Sequence, residues 1–239
     1  MTVVFGYDPA IGERFPDLVA GVLHATGLSN GRAPAGLVER YRAEQAAVVA
    51  RLAERPVAEW PSIAAWRRTF SACGVRPTRH RVAAEALLRR LDKAGDIPSI
   101  NTLVDIGNLV SIRHGLPVAV FDQAEVSGAT TVRFATGHER FTDLGTDQTV
   151  APDRGEVVFV DDAGLVSARR WCWRQSASSA TKPTTTEILA VVEAQHEQAR
   201  GDVEAALGDL AELVAEYQPG CSSAKAVLGG GAWTASFAP

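Results

Sequence analysis

The chain is poor in sulfur and in aromatic rings: its 239 residues include 3 Cys, 1 Met and only 7% Phe, Trp and Tyr. Cys73, Cys172 and Cys221 are odd in number and far apart, with no Cys-x-x-Cys pair. This argues against a disulfide framework or a thiolate zinc site, and predicts three reduced, mostly buried thiols in a cytoplasmic protein. No apolar run approaches the ~18 residues that cross a bilayer, so no membrane partner is expected. The first residues carry neither the basic segment nor the apolar core of a secretory signal. An excess of positive charge is also missing. The net charge is −4, so nothing global announces nucleic acid, although a local patch can still hold an RNA end. There is no Gly-x-Gly-x-x-Gly, no P-loop and no Gly-x-Ser-x-Gly elbow. Gly229-Gly230-Gly231 has no helix after it, and the five histidines lack close ligand spacing. Neither a cofactor nor a metal is expected. Asp161-Asp162 reads as a turn rather than a catalytic pair of carboxylates.

What is present is an ordinary globule, 46% hydrophobic and 22% charged, long enough to bury a large core. Residues 2–5 and 19–23 read as strands, 31–36 as a loop, and 37–55 as a helix. A helix over 60–73 has Pro61 at a position suited to a first helical residue. An amphipathic helix over 79–92 places Val82, Ala83, Leu87, Leu88 and Leu91 inward. Its other face carries Arg79, Arg81, Arg89 and Arg90, with Arg76 just before it. This is either a solvated face or a contact for phosphates. Between 128 and 174 the pattern changes to short strands, over 130–135, 156–160 and 165–173. A Ser/Thr-rich loop, which includes Ser176 and Thr181, follows. Residues 184–187 then look like a helix capping box, yet 188–192 equally suit a buried strand. An amphipathic helix spans 195–217, a strand 224–228, and a Gly-rich end can pack Trp233 and Phe237.

The most informative stretch is 98–122. Its middle predicts a helix that is apolar on almost every side, hence buried. Asn101, Asp105 and Asn108 nevertheless share one face of it, at spacings of four and three. Buried polar groups need partners or cost about 1–3 kcal/mol each. Either they form an internal network or they wall a ligand pocket.

Asp105-Ile106-Gly107-Asn108, followed by Gly115-Leu116-Pro117-Val118-Ala119-Val120-Phe121-Asp122, resembles the editing domain of the bacterial phenylalanyl-tRNA synthetase β subunit. The downstream order is similar as well: a strand with Val132-Arg133 and Ala135, a hairpin across 161–164, and a late strand ending in Val191-Val192-Glu193. The resemblance covers residues 70–217 and favours the strand at 188–192. It implies an α+β fold of layered mixed sheets with packed helices, in a free-standing chain without a synthetase. One unit over 1–239 is expected, with an N-terminal strand and helix extension at 1–59, an editing-domain-like core at 60–217, and a strand and tail at 218–239.

Carried over by position, the family's pocket Asn falls on Asn108, and its usual Thr on Gly107. The turn Pro falls on Pro117, and the late-strand Glu on Glu193. The family His is replaced by Ala119, and an Ala-Gly pair of the pocket wall by Trp173-Arg174. The resemblance implies hydrolysis of a misacylated tRNA in trans, with tRNA, through its aminoacylated 3′ end, as the partner. Glu193 and Asn108 would carry the chemistry. Asn101, Asp105, Gly107, Pro117, Ala119, Trp173, Arg174, Ser176 and Thr181 would line the substrate site, and Arg76, Arg79, Arg81, Arg89 and Arg90 would meet tRNA. The alternative is a non-catalytic pocket for a free amino acid or small carboxylate. Glu193, among apolar neighbours, needs a partner or a proton. Arg174 is one candidate, and a substrate ammonium is another. Alternation along a strand puts Trp171 and Trp173 on one face and Arg170 and Arg174 on the other. Glu193 is expected to face the same cavity as Asn108.

Overall fold

Alternation of inward and outward side chains sorts the strands into two sheets that share a core. A computed structural model describes residues 2–238. The first sheet runs in the order β12 (Thr234–Phe237), β1 (Val3–Tyr7), β4 (Thr130–Phe134), β7 (Val157–Asp161), β8 (Val166–Arg169), β9 (Arg174–Gln175). Only its β1–β4 pair is parallel. The second sheet is antiparallel, in the order β11 (Ser222–Leu228), β2 (Val19–Thr26), β10 (Glu187–Ala194), β3 (Val118–Asp122). A small ribbon joins β5 (Phe141–Thr142) to β6 (Thr149–Val150). The helices are α1 (Pro9–Arg14), α2 (Ala35–Glu54), α3 (Pro61–Ala72), α4 (Ala83–Ala94), α5 (Thr102–His114) and α6 (Ala199–Tyr217). This is the α+β class of layered mixed sheets and helices that the resemblance implies. No helix among the described residues is long and apolar enough to cross a membrane.

The second sheet is the middle layer. A Cβ on Gly21 of β2 would lie 3.0 Å from Val203 and 3.2 Å from Leu207, so that face meets α6. Val192 pairs with both Gly21 and Val118, which puts all three on the helix side. Glu193, Val191 and Ala119 therefore point the other way, toward the first sheet. There the two sheets touch through Phe121 and Phe159, with ring centroids 5.4 Å apart, and through His24 and Phe237 at 5.6 Å. Central β10 is buried at all but its first residue, which explains its continuous apolar run. The capping-box reading of 184–187 gives way because Thr185 bonds elsewhere: its hydroxyl donates to Asp122 at 2.5 Å and accepts from Lys182 N–H at 2.7 Å.

Helix α5 is buried as its composition predicts. Asn101 is its N-cap, accepting from Val104 N–H at 2.9 Å. Asp105 is fully buried and accepts from Ile100 N–H at 2.8 Å and from the Ser99 hydroxyl. It closes the preceding loop onto the helix, and burial raises its pKa against the pull of these two bonds. Asn101 and Asn108, expected to be largely buried, are half-buried, and only Asp105 is fully so. Gly115 ends the helix at φ 65°, where a Cβ would sit 2.8 Å from Trp60.

Two helices start later than periodicity predicts. Helix α4 begins at Ala83, whose N–H is pinned to Cys172 C=O at 2.9 Å, so Arg79, His80 and Arg81 lie in a turn before it. Helix α6 begins at Ala199, after His196 has bonded Asp202 at 2.7 Å. The strand expected over 165–173 ends at Arg169. The Ser99–Asp105–Ile100 contacts generate a prediction. Replacing Asp105 with Ala removes the charged acceptor of the Ser99 hydroxyl and the Ile100 N–H. The loss should be about 3 kcal/mol in urea unfolding. A change within about 0.5 kcal/mol, the usual range of surface substitutions, would show that this carboxylate does not hold the loop.

Candidate functional site

Glu193, at the end of β10, is 2% exposed. Its Oε1 accepts from Tyr7 O–H at 2.7 Å and from Trp171 Nε1–H at 2.8 Å. Both donors belong to the first sheet and its connections, so one carboxyl ties the two sheets together. Both reach the same oxygen, which leaves Oε2 as the one available to the cavity. Burial pushes the Glu193 pKa up to about 7, against the opposing effect of the Trp171 and Tyr7 bonds. The same burial, together with Glu193, drives the Tyr7 and Cys172 pKa values well up. The cavity on which Glu193 opens is about 60 Å³, lined among others by Pro117, Ala119, Phe121, Phe159, Trp173 and Arg174. It is partly open and mostly apolar, with room for a few water molecules or a group of a few heavy atoms.

The segment after β8 decides what surrounds this carboxyl. Arg170 and Trp171 are consecutive non-glycine residues in the left-handed region, at φ 45° and 60°. Each such residue costs about 1–3 kcal/mol and persists only where its contacts over-determine it. Here Arg169 and Arg170 both bond Glu156, at 2.6 and 3.0 Å, and the Trp171 indole is locked on Glu193. The turn throws Trp171 into the core, against Phe15 and Trp66. Trp173 stays half-buried, its ring 4.6 Å from His80 and 5.1 Å from the Arg170 guanidinium. The alternation expected for Trp171 and Trp173 therefore does not hold, because the strand that would impose it is interrupted.

Arg174 does not reach Glu193. Its Nε donates to Asp143 at 2.8 Å and the side chain is 47% exposed, so the structural Glu–Arg pair is absent. The partners that Glu193 does have were missed in the sequence. Tyr7 lies 186 positions away, and nothing in its local pattern signals the contact.

Asn108 faces a different cavity. With Asn101, Gly107 and Thr181 it lines a cleft of about 330 Å³ on the helix side of β3, whose rim holds the exposed Ile100 and Leu144. The expectation that Glu193 and Asn108 share a cavity is corrected by strand parity: edge strand β3 separates them. The two spaces adjoin, since Val118 and Gln175 border both. Gln175 donates to Val120 C=O and to Ser179 C=O, each at 2.9 Å, and so closes the loop over the edge of β3. Asp105 is sealed behind the helix and lines neither space. Ser176 is fully buried, and its hydroxyl is engaged with Ser178 at 2.5 Å. Thr181 alone among the proposed loop hydroxyls reaches a cleft, beside Asn101 at 3.3 Å.

The basic residues also divide. Arg89 turns back to the buried Glu85 at 2.8 Å, which Arg67 holds from the other side at 2.7 Å. Arg81 and Arg90 are exposed on α4 and its approach. Arg76 and Arg79 instead line a separate cleft with His80, Arg154 and Arg170.

The raised pKa of Glu193 makes stability depend on pH. An unfolded Glu titrates near 4.5, and the folded one near 7. Below the lower value both states are protonated and the contribution to stability is complete. It is lost as pH rises toward and through 7, by about 3 kcal/mol at most. Unfolding measured from pH 4.5 to 8 should show this decline in the wild type and not in Glu193→Gln. Parallel profiles for the two proteins would refute the shift.

The sequence profile of the B3/4 domain matches residues 65–218. The phenylalanine–tRNA ligase β subunit of Gluconobacter oxydans is 30% identical over 122 residues, 48% of this chain and 15% of that protein. The corresponding subunit of Nocardia farcinica is 40% identical over 82 residues, 34% of this chain and 10% of its own. The chain thus spans a small part of the length of these relatives. Among solved structures, an N-terminal fragment of the phenylalanyl-tRNA synthetase β subunit from Pyrococcus horikoshii aligns with a TM-score of 0.49 and 11% identity, covering 92% of this chain and 50% of that one. The profile covers more than half of the sequence, from α3 to the end of α6, and the chain belongs to the B3/4 domain family.

Proposed function

We propose that this chain acts on the aminoacylated end of tRNA in the cytoplasm and hydrolyses the ester of a wrongly attached amino acid. The observation that carries the reading is the buried carboxyl of Glu193, with its pKa raised to about 7. A general base works best when its pKa lies near the working pH. Ala119 stands where the resemblance has a His, and Glu193 is the titratable group that can take over the role. In this reading Oε2 removes a proton from a water molecule while its oxygen attacks the ester carbonyl. The carbonyl–ribose oxygen bond breaks, the proton passes to the departing ribose oxygen, and the amino acid leaves as a carboxylic acid that gives its remaining proton to solvent. Tyr7 and Trp171 position the base through Oε1.

The size of the cavity, about 60 Å³, supports entry of a small side chain with the ester held at the mouth, near Trp173 and Arg174. The adjoining cleft of Asn101, Asn108 and Thr181 supplies amide and hydroxyl groups suited to a ribose. A second reading, a pocket that binds a free amino acid without chemistry, is favoured by one feature: no imidazole lines the Glu193 cavity.

Deacylation of a panel of misacylated tRNAs tests both readings. Hydrolysis is expected for tRNAs carrying small amino acids, with a rate that rises as pH passes through about 7. Glu193→Gln should lower kcat by roughly 10²-fold or more, the range of general-base effects. If no tRNA is deacylated while calorimetry detects a free amino acid bound at the wild-type pocket, the binding reading replaces the hydrolase.

A further inference from the structure

Net charge hides a local concentration of cations. The cleft of about 340 Å³ between the α3–α4 turn and the β6–β7 loop is lined by Arg76, Arg79, Arg154 and Arg170, against the carboxylates of Asp153 and Glu156. Glu156 is already neutralised, held by Arg169 at 2.6 Å and by Arg170 at 3.0 Å. Asp153 meets Arg170 only at 3.3 Å, with its side chain 78% exposed. Arg76, Arg79 and Arg154 are exposed and form no ion pair among the described residues. Like charges are thus held around one hollow in a chain whose net charge is −4. Such an arrangement is relieved by an anion, and guanidinium forks match phosphate oxygens. Two of these arginines come from the turn before α4, one from the loop before β7, and one from the strained turn after β8. The site therefore exists only in the folded chain.

The position of the cleft identifies the kind of anion. His80, which lines it, stacks edge-on against Trp173, and Trp173 in turn borders the Glu193 cavity. Burial, then the charges of Arg170 and Arg79, lower the His80 pKa, so a neutral ring accepts from Arg170 Nη1 at 2.9 Å. The same turn sends Arg170 into the basic cleft and Trp171 onto Glu193, so the two sites stand back to back. Trp173, against His80, lies between the basic cleft and the Glu193 cavity.

We infer that this cleft is the binding site for the phosphate backbone of a single-stranded RNA end, with Arg76, Arg79, Arg154 and Arg170 as its contacts. The inference rests on the reading of the Glu193 cavity as the acyl site and adds the surface that delivers the substrate to it. Arg81, Arg89 and Arg90 lie outside it, and the cleft replaces the helix face as the RNA surface.

The test is binding of a short fluorescent oligoribonucleotide to the full chain, followed by anisotropy as salt is raised. Arg154→Glu and Arg76→Glu, on separate segments, should each weaken binding by about tenfold or more at low salt. Each should also reduce the slope of log K against log salt by about 0.7 per lost single-strand phosphate contact. Arg42→Glu, an exposed change of the same charge on α2, should leave binding unaltered, and melting curves verify that all variants fold. If both cleft variants match Arg42→Glu, or if the wild type binds no RNA even at low salt, the cleft is not an RNA site. Cleft-dependent RNA binding in a chain that deacylates nothing would retain the cleft and overturn the hydrolase. Deacylation with binding indifferent to Arg76 and Arg154 would do the reverse.

Discussion

The two sheets are joined by one buried carboxyl. Glu193 stands on the inner face of β10, and its Oε1 holds Tyr7 of β1 and the Trp171 indole at once. A buried carboxyl is expensive unless its polar atoms are satisfied. Here the expense is limited in two ways: two strong donors converge on one oxygen, and the group takes up a proton near neutral pH. The first sheet therefore cannot slide over the second without orphaning all three groups. The aromatic contacts at this interface, Phe121 with Phe159 and Phe5 with Tyr7, pack around a fixed polar point.

The demand of Glu193 for the Trp171 indole helps explain the backbone after β8. Two left-handed non-glycine residues in succession are unfavourable, yet they deliver Trp171 inward and Arg170 outward within two positions. A continuing strand would also separate these side chains, but it would carry Trp173 to the same face as Trp171. The turn instead leaves Trp173 between His80 and the mouth of the small cavity. Positive charge, aromatic surface and a titratable carboxyl are thus brought together by one short segment. The loops of β5–β6 and β9–β10 bound the neighbouring Asn108 cleft, with Leu144, Ala180 and Thr181 along its border. Strand β3, at the sheet edge, is the wall between the acidic and the amide-bearing spaces.

Much of this was legible in the residues because burial leaves a periodic trace. The unbroken apolar character of α5 and β10 marked them as interior elements. Asp105 and Glu193 stood out as charges in apolar company, and both are buried. Ala119, Trp173 and Arg174, which the resemblance placed at a pocket, line the Glu193 cavity. Helix starts were less legible. The amphipathic pattern continues through Arg79 and Arg81, whereas α4 is delimited by a bond from Ala83 to Cys172, far along the chain. The Ser/Thr run after β9 looked ligand-facing because hydroxyl composition says nothing of direction, and Ser176 turns inward.

The sequence by itself determined the interior elements and the anomalous carboxyl, because side-chain period and hydrophobicity are local properties, and the class of fold followed from its resemblance to a family. It could not determine which charges meet. Arg174 and Glu193 were plausible partners by type, but Asp143 lies closer to the arginine, while Tyr7 and Trp171 satisfy the glutamate. Nor could it determine that Asn108 and Glu193 lie on opposite sides of β3. That follows from the face on which α5 docks, and the docking depends on contacts between segments far apart in sequence. The grouping of Arg76 and Arg79 with Arg154 and Arg170 has the same origin. Pairwise partners and cavities are set when distant segments pack, and only the tertiary structure decides that packing.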